Sequence, residues 1–568
     1  MKRILTGLVV LVFAVSCLAA TDRKNAKDSG EVARASSAAS RSKDGSESSP
    51  VETMVAELQE QVEELRQIIS EQNKTIERIT QSLYGKSANP APHATGEIAT
   101  VAPTGPAPTP PAAASASPTP QPSPAPAQAT SAPESPLQLR IGQASITPVG
   151  FMDITNTWRS TNAGSSLQTN FGSFPYNNML QGRLSEDKWS AENSRIGFRV
   201  DARVKGASVL GYFEGDFVGG VAGNNTQVSS NSMLFRIRQY YIDVRKGFWE
   251  VLAGQAWSMI TPNRRAMSPL PADLFYTQVV DVNYTNGLYW GRVPGLRFIG
   301  HPSKKVAFGV ALENATQYMG GSGGGGVPVL PSALANTYPG EVDNGANNDR
   351  TLPNVHPDII GKVTFDPTNR FHFEVGGLET TTKLFNPLTQ QYFTKGGGAG
   401  TFSIHAEVSK NLRVLTNNFY SDGAGRYLFG EAPNFIVRPD GSPSLVHSAS
   451  TVSGFEGAFK NFAPYLYYGG VYIGRNAAFD ANGTTRIGYG FPGSANSQNR
   501  TIQEITGGWS HIIWRDGRYG ALQWMAQYAY FFRNPWSVAT GTPKNAHEHA
   551  IWFNLRYVLP GSAPPVEH

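Results

Sequence analysis

The sequence has a single cysteine in 568 residues, Cys17. It lies in an N-terminal segment where Lys2 and Arg3 precede the apolar run ILTGLVVLVFAVS and small residues follow at Ala19 and Ala20, the pattern of a secretory signal peptide over residues 1–20. Once that segment is cleaved no thiol remains, which excludes disulfides and thiol chemistry from the mature chain. The other reading of AVSC is a lipidated cysteine, for which Ala14 is a poor stand-in for the usual leucine. Past the leader there is no run near the ~18 to 20 apolar residues of a spanning helix, and the mean hydropathy is −0.29. This excludes a helical membrane protein. It leaves a transmembrane β-barrel open, because a barrel spreads its lipid face over alternate residues. Charge of one sign is also scarce: the net charge is +5, without a basic patch interleaved with aromatics, so nucleic acid is not an expected partner.

Composition divides the chain. Residues 21–50 are polar, rich in Ser, Ala, Lys and Asp, and read as disordered. Over 51–85 a heptad places Val55, Val62, Ile69, Ile76 and Leu83 at a, with Val51, Leu58, Leu65, Gln72 and Ile79 at d, which predicts a coiled coil. Isoleucine at both positions in the second half favours a trimer, and Gln72 would fix register. The alternative is an amphipathic helix packed on a domain, for which neither flank offers a globular neighbour. Residues 86–136 are almost entirely Ala, Pro, Ser and Thr, an extended spacer without the means to build a core.

From 137 to 568 the dominant signal is alternation. In SRIGFRVDARVKGASVLGYFEGDF, residues 194–217, Ile196, Phe198, Val200, Ala202 and Val204 alternate with Arg195, Gly197, Arg199, Asp201 and Arg203. The pattern resumes after Lys205-Gly206, which predicts a β-hairpin. Similar segments recur at 359–366, 371–375, 402–408, 522–530 and 551–557. Many strands reach ten residues, with aromatics towards their ends. Short turns such as VKGA and RKGF alternate with long Gly/Asn/Pro-rich loops, notably 313–356 with its GGSGGGG run. A soluble sandwich also alternates, but this strand length and loop asymmetry predict an all-β transmembrane antiparallel barrel of sixteen strands, with eighteen the other even number.

The stretches SRIGFRVDARV and LFRIRQYYIDVRKGFWEVLAGQ, 234–255, resemble the second, fourth and fifth strands of Gram-negative trimeric porins. With the coiled coil and Pro/Ala linker, the plan is most similar to the DcaP-like porins, with the phosphate-selective porins O and P next. The resemblance implies a sixteen-stranded homotrimer in the outer membrane, with lipid and lipopolysaccharide around it and the coiled coil in the periplasm. It also implies a third loop folded into the pore, here SMITPNRRAMSPLPADLFYTQVVDVN, 258–283, carrying Arg264, Arg265, Asp273 and Asp281. The tail GSAPPVEH after IWFNLRYVLP departs from the terminal aromatic common in porins, and the acidic cluster usual in the third loop is thinned and mixed with arginine.

The polar faces of the early strands carry a basic ladder, Arg195, Arg199, Arg203, Arg236 and Arg238, with acidic residues Asp201, Glu214 and Asp216 beside it. Two readings stay open. Guanidiniums in a narrow lumen would attract carboxylates or phosphates; alternatively, they pair with those acids and brace the wall. His372, Glu374, His405 and Glu407 would also project inward, as solvated lining or as metal ligands; no metal or other cofactor is expected. GGSGG at 320–324 matches an esterase pattern without the strand and helix it needs, and reads as a flexible loop. No catalytic residues are assigned. The expected function is passive diffusion of small hydrophilic, anionic solutes through an outer-membrane porin, not an enzyme. The alternative is a structural envelope protein whose barrel anchors a coiled-coil tether to peptidoglycan or another periplasmic component.

Overall fold

The computed structural model describes residues 135–220, 231–271, Leu274, 277–343 and 353–561, all within one compact unit, Ser123–His568. The leader, the polar segment, the coiled coil and all but the end of the linker lie outside the described residues.

Sixteen antiparallel strands close a barrel. They are β1 (Ala144–Arg159), β2 (Arg195–Val204), β3 (Ala207–Asp216), β4 (Arg236–Lys246), β5 (Trp249–Trp257), β6 (Arg292–Ser303), β7 (Val306–Glu313) and β8 (Asp358–Thr368), then β9 (Phe371–Asn386), β10 (Gln391–Ser409), β11 (Leu412–Asp422), β12 (His447–Gly457), β13 (Phe462–Ile473), β14 (Asn499–Asp516), β15 (Gly520–Pro535) and β16 (Ala546–Val558). Neighbours in sequence pair in turn, and β16 closes on β1 from Phe151↔Val558 to Arg159↔Ala550. On its other edge β1 has two partners. The first half pairs with β2, and the second half with the short strand Glu186–Ser190. With that piece and Leu139–Ile141, which folds back on the start of β1, the sheet has eighteen strands. The barrel is therefore sixteen-stranded, not eighteen-stranded: sixteen staves close the wall and two short strands extend the sheet.

One rim is made of tight turns and the other of long loops. At Lys205-Gly206 both residues have positive φ, 50° and 80°, as a two-residue hairpin needs to match the right-handed twist of its strands. On the wall, alternation becomes sidedness. In β8, Ile359, Val363 and Phe365 are 38 to 49% exposed, while Ile360, Lys362 and Thr364 are at most 3% exposed. Exposed aromatics gather near the turn rim, at Trp249, Phe459, Trp514 and Tyr519, and towards the loop rim, at Trp189, Tyr240, Tyr420 and Tyr472. So large an apolar exterior would be an aggregation surface in water, whereas it matches hydrocarbon flanked by two interfaces.

The inner face is less polar than alternation alone suggests. Ile299, Ile360, Leu378, Phe419, Ile502, Phe531 and Trp552 point inward and join one core with Phe171, Phe174 and Tyr176 of loop 160–185, Met259 and Tyr289 of loop 258–291, Tyr427 and Ile436 of loop 423–446, and Tyr489 of loop 474–498. Inserted loops thus give part of the lumen a packed interior. The GGSGGGG run belongs to this packing. A Cβ on Gly323 would lie 1.9 Å from Phe429 O, on Gly324 2.6 Å from Ser173 N, and on Gly326 2.4 Å from Ser497 O. The run is a backbone-to-backbone junction between three loops, which corrects the flexible-loop expectation: glycine is present because there is no room for a side chain.

Candidate functional site

The segment between β5 and β6, residues 258–291, enters the barrel and reaches the opposite wall. Lys362 on β8 donates to Thr261 O (2.7 Å) and to Asn263 Oδ1 (2.8 Å), and Asn263 N donates to Glu374 on β9 (3.2 Å). Arg264 reaches Glu456 on β12 at 3.1 Å, where Arg413 (3.0 Å) and the Tyr467 hydroxyl (2.8 Å) converge on the same carboxylate. Arg265 donates to Asn369 (2.8 Å) at the β8–β9 turn, so the segment descends as far as the turn rim. It returns through Val280 N to Gln527 on β15 (2.6 Å) and Asn286 N to Glu504 on β14 (2.7 Å). The anchors are long polar side chains on distant strands, which holds the loop across the pore.

Asp281 is buried and accepts from Thr169 N (3.3 Å) and Asn283 N (2.8 Å). Burial pushes its carboxyl up to about 6 despite those hydrogen bonds, because desolvation penalises the charged form more than they favour it. Asp273 lies outside the described residues. Arg264 and Arg265 meet the far wall, not the arginines of the early strands; Tyr284 of the loop accepts from Arg238 (2.9 Å), and Trp257 at the end of β5 lies beneath the same guanidinium.

The ladder residues share the inner face and differ in surroundings. Arg238, 1% exposed, donates to Glu214 (2.8 Å) and Asp216 (2.6 Å). Arg236 forks onto Asp216 at 3.0 and 2.9 Å, and Arg195 lies 3.7 Å from Glu214. Arg199 forks onto Asp201 two residues along its own strand, at 2.7 and 2.9 Å. Arg203, exposed at the turn rim, makes no ion pair among the described residues. Geometrically, four of the five arginines sit in acid pairs, and Arg238 is sealed beneath the loop.

Two cavities open beside the loop. The larger, about 560 Å³, is bounded by β1–β3, the 277–282 stretch and β13–β16, and carries Arg195, Arg199, Lys460, Arg515 and Arg556 against Glu214 and Asp281. Arg556 is held by Asp153 at 2.7 Å, while Lys460 and Arg515 make no ion pair among the described residues. The second cavity, about 530 Å³, lies under Ala266–Leu270 at the turn rim of β2–β6. Sequence reasoning missed Lys460 and Arg515. Arg556 was visible as a polar member of an alternating strand, but Lys460 sits in a turn, where local pattern does not show what it faces.

Of the four inward residues considered as metal ligands, His372 and His405 face each other across β9 and β10 with ring centroids 5.5 Å apart, but their neighbours are taken by other partners. His372 lies between Asp366 (2.9 Å) and Glu374 (3.2 Å), and Lys362 takes the same Glu374 oxygen at 2.8 Å. His405 contacts Asn417 (3.2 Å), and Glu407 pairs with Arg413 (3.2 Å). Among the described residues no three His, Cys, Asp or Glu side chains are grouped to hold a metal ion.

No family model matches the chain, and no curated protein matches it. Solved structures do. An anion-selective porin from Comamonas acidovorans aligns over 73% of this chain and 99% of its own, with 12% identity and a TM-score of 0.39. Salmonella typhi OmpF in complex with daunomycin aligns over 74% and 100%, with 8% identity and a TM-score of 0.39. The outer membrane channel DcaP of Acinetobacter baumannii covers 73% of this chain and 97% of its own, with 15% identity and a TM-score of 0.54, so this chain has the fold of that channel.

Proposed function

We propose that the protein is a trimeric outer-membrane porin through which small hydrophilic anions diffuse passively, without catalysis. The observation that carries this reading is the larger cavity: a closed barrel with an apolar exterior holds a space of about 560 Å³ whose lining has five basic side chains and two acidic ones. A positive lumen with low-dielectric walls raises the local anion concentration without needing a tight site, and weak multi-site binding is what conduction requires. The fold shared with the DcaP channel, and the resemblance of the early strands to trimeric porins, support the same assignment. In this reading the coiled coil at 51–85 trimerises in the periplasm and the 86–136 spacer joins it to the barrel.

The test is the reversal potential across a KCl gradient in a planar bilayer. A sign set by chloride supports the proposal, and a cation-selective or non-conducting protein refutes it. The packed loops in the lumen favour one other reading, a barrel that chiefly anchors a periplasmic tether. Deletion of 51–85 separates the two: loss of envelope integrity with unchanged solute uptake identifies the tether.

A further inference from the structure

The second cavity has a charge pattern unlike the first. Register across β2, β3, β4 and β5 sets two rows on its wall. The row nearest the turn rim runs Arg203, Ser208, Arg245, Glu250, and the row above it runs Asp201, Leu210, Asp243. Two members have no opposite charge bound to them. Asp243 is 9% exposed and forms no ion pair among the described residues, and its Oδ1 is buried without a hydrogen-bond partner. Arg203, in the other row, is exposed and likewise makes no ion pair among the described residues. The rest are at least partly occupied: Asp201 is forked by Arg199, and Glu250 takes His301 at 2.8 Å and Arg245 at 3.9 Å.

We infer that this cavity is a binding pocket, open to the turn rim, for a small zwitterion of dipeptide length, whose ammonium meets Asp243 and whose carboxylate meets Arg203 and Arg245. Spacing sets the length. Asp243 and Arg245 are two residues apart along β4, roughly 7 Å, and two extended residues of a peptide span roughly 7 Å; Arg203 stands in the row of Arg245 two strands away, about 10 Å, and its long side chain covers that distance. The volume of about 530 Å³ leaves room for side chains, and Leu210, Met267 and Leu270 provide an apolar surface for them. A buried carboxylate oxygen without a donor is costly, so a ligand ammonium gains most there. A simple anion would meet Asp201, Asp243 and Glu250 as well as the arginines, and a simple cation would meet the arginines. Only a molecule with both charges matches both rows. The inference does not rest on the ion selectivity of the channel.

Isothermal titration calorimetry of the full chain in detergent tests it, with L-alanyl-L-alanine as probe and acetate and methylammonium as its separate halves. Saturable dipeptide binding is expected, with each half at least tenfold weaker. Asp243→Asn and, separately, Arg203→Gln should each weaken the dipeptide at least tenfold. Arg203 is at the exposed rim, so its variant remains informative even if the buried substitution impairs folding, which heat-modifiable migration on SDS gels would reveal. Absence of saturable binding, acetate binding as tight as the dipeptide, or full binding in the folded Arg203→Gln variant would overturn the inference. A reversal potential that refuted anion selectivity would leave the calorimetric result standing.

Discussion

An arginine in an ion pair and a cation without one act differently on a passing chloride, and this determines which side chains should filter. At a distance of about 7 Å and an effective dielectric constant of about 40, one cation attracts an anion by roughly 1.2 kcal/mol. A carboxylate about 4 Å farther away takes back roughly 0.75 kcal/mol, so a pair attracts it by only about 0.4 kcal/mol, before salt screens both. Arg199 with Asp201 is such a pair, whereas Lys460 and Arg515 face the larger cavity without a paired acid. Arg199→Ala alone would mislead, because it uncovers Asp201 and changes the lumen charge as much as loss of a lone cation does. The informative variants are therefore double ones. Arg199→Gln with Asp201→Asn removes a neutral unit and should change the chloride-to-potassium permeability ratio less than twofold. Lys460→Gln with Arg515→Gln removes two units of charge and should lower the ratio about fivefold or more in 0.1 M salt, read as reversal potentials across a KCl gradient. If the first variant collapsed selectivity and the second left it intact, filtering by net charge would be refuted.

Three further outcomes follow from the loop and its anchors. Glu456→Ala leaves Arg264 and Arg413 without their shared carboxylate, a loss of about 3 to 5 kcal/mol for a buried pair; a lower urea midpoint and larger single-channel conductance are expected as the loop loses its far anchor. Asp281 binds its proton more tightly in the native state than at its ordinary value of 3.8, so its contribution to stability is greatest below about pH 4 and falls as pH rises through about 6. The shift corresponds to about 3 kcal/mol, and Asp281→Asn should remove that share of the difference between urea midpoints at pH 4 and pH 8. Gly324→Ala would place a Cβ 2.6 Å from Ser173 N at a φ of +85°, so loop 160–185 should become protease-sensitive, with a loss of about 1 to 3 kcal/mol, while the barrel stays heat-resistant.

The barrel was legible because its physics is local. A strand between lipid and lumen must alternate, so Ile196, Phe198 and Arg199 already state which side each faces, and a Lys-Gly pair states where the chain reverses. The site was legible only in its residue types. Arg238 and Arg199 occupy equivalent positions in the alternation, yet Arg238 is sealed by Tyr284 of the crossing loop and Trp257 of β5 while Arg199 remains 40% exposed, because the loop packs against the first and leaves a cavity against the second. Where that loop lies depends on Lys362, Glu456, Glu504 and Gln527, residues on distant strands whose relation to it follows from barrel closure and not from spacing along the chain. The glycine run shows the same limit from the other side. A run of small residues without side chains carries the same local signature whether it is mobile or in close contact, and only the backbones of Phe429, Ser173 and Ser497 lying against it decide between the two. The lumen of this barrel is therefore specified by long-range contacts, so the variants that test its function must be chosen by which charges remain unpaired after folding and not by which charges the strands display.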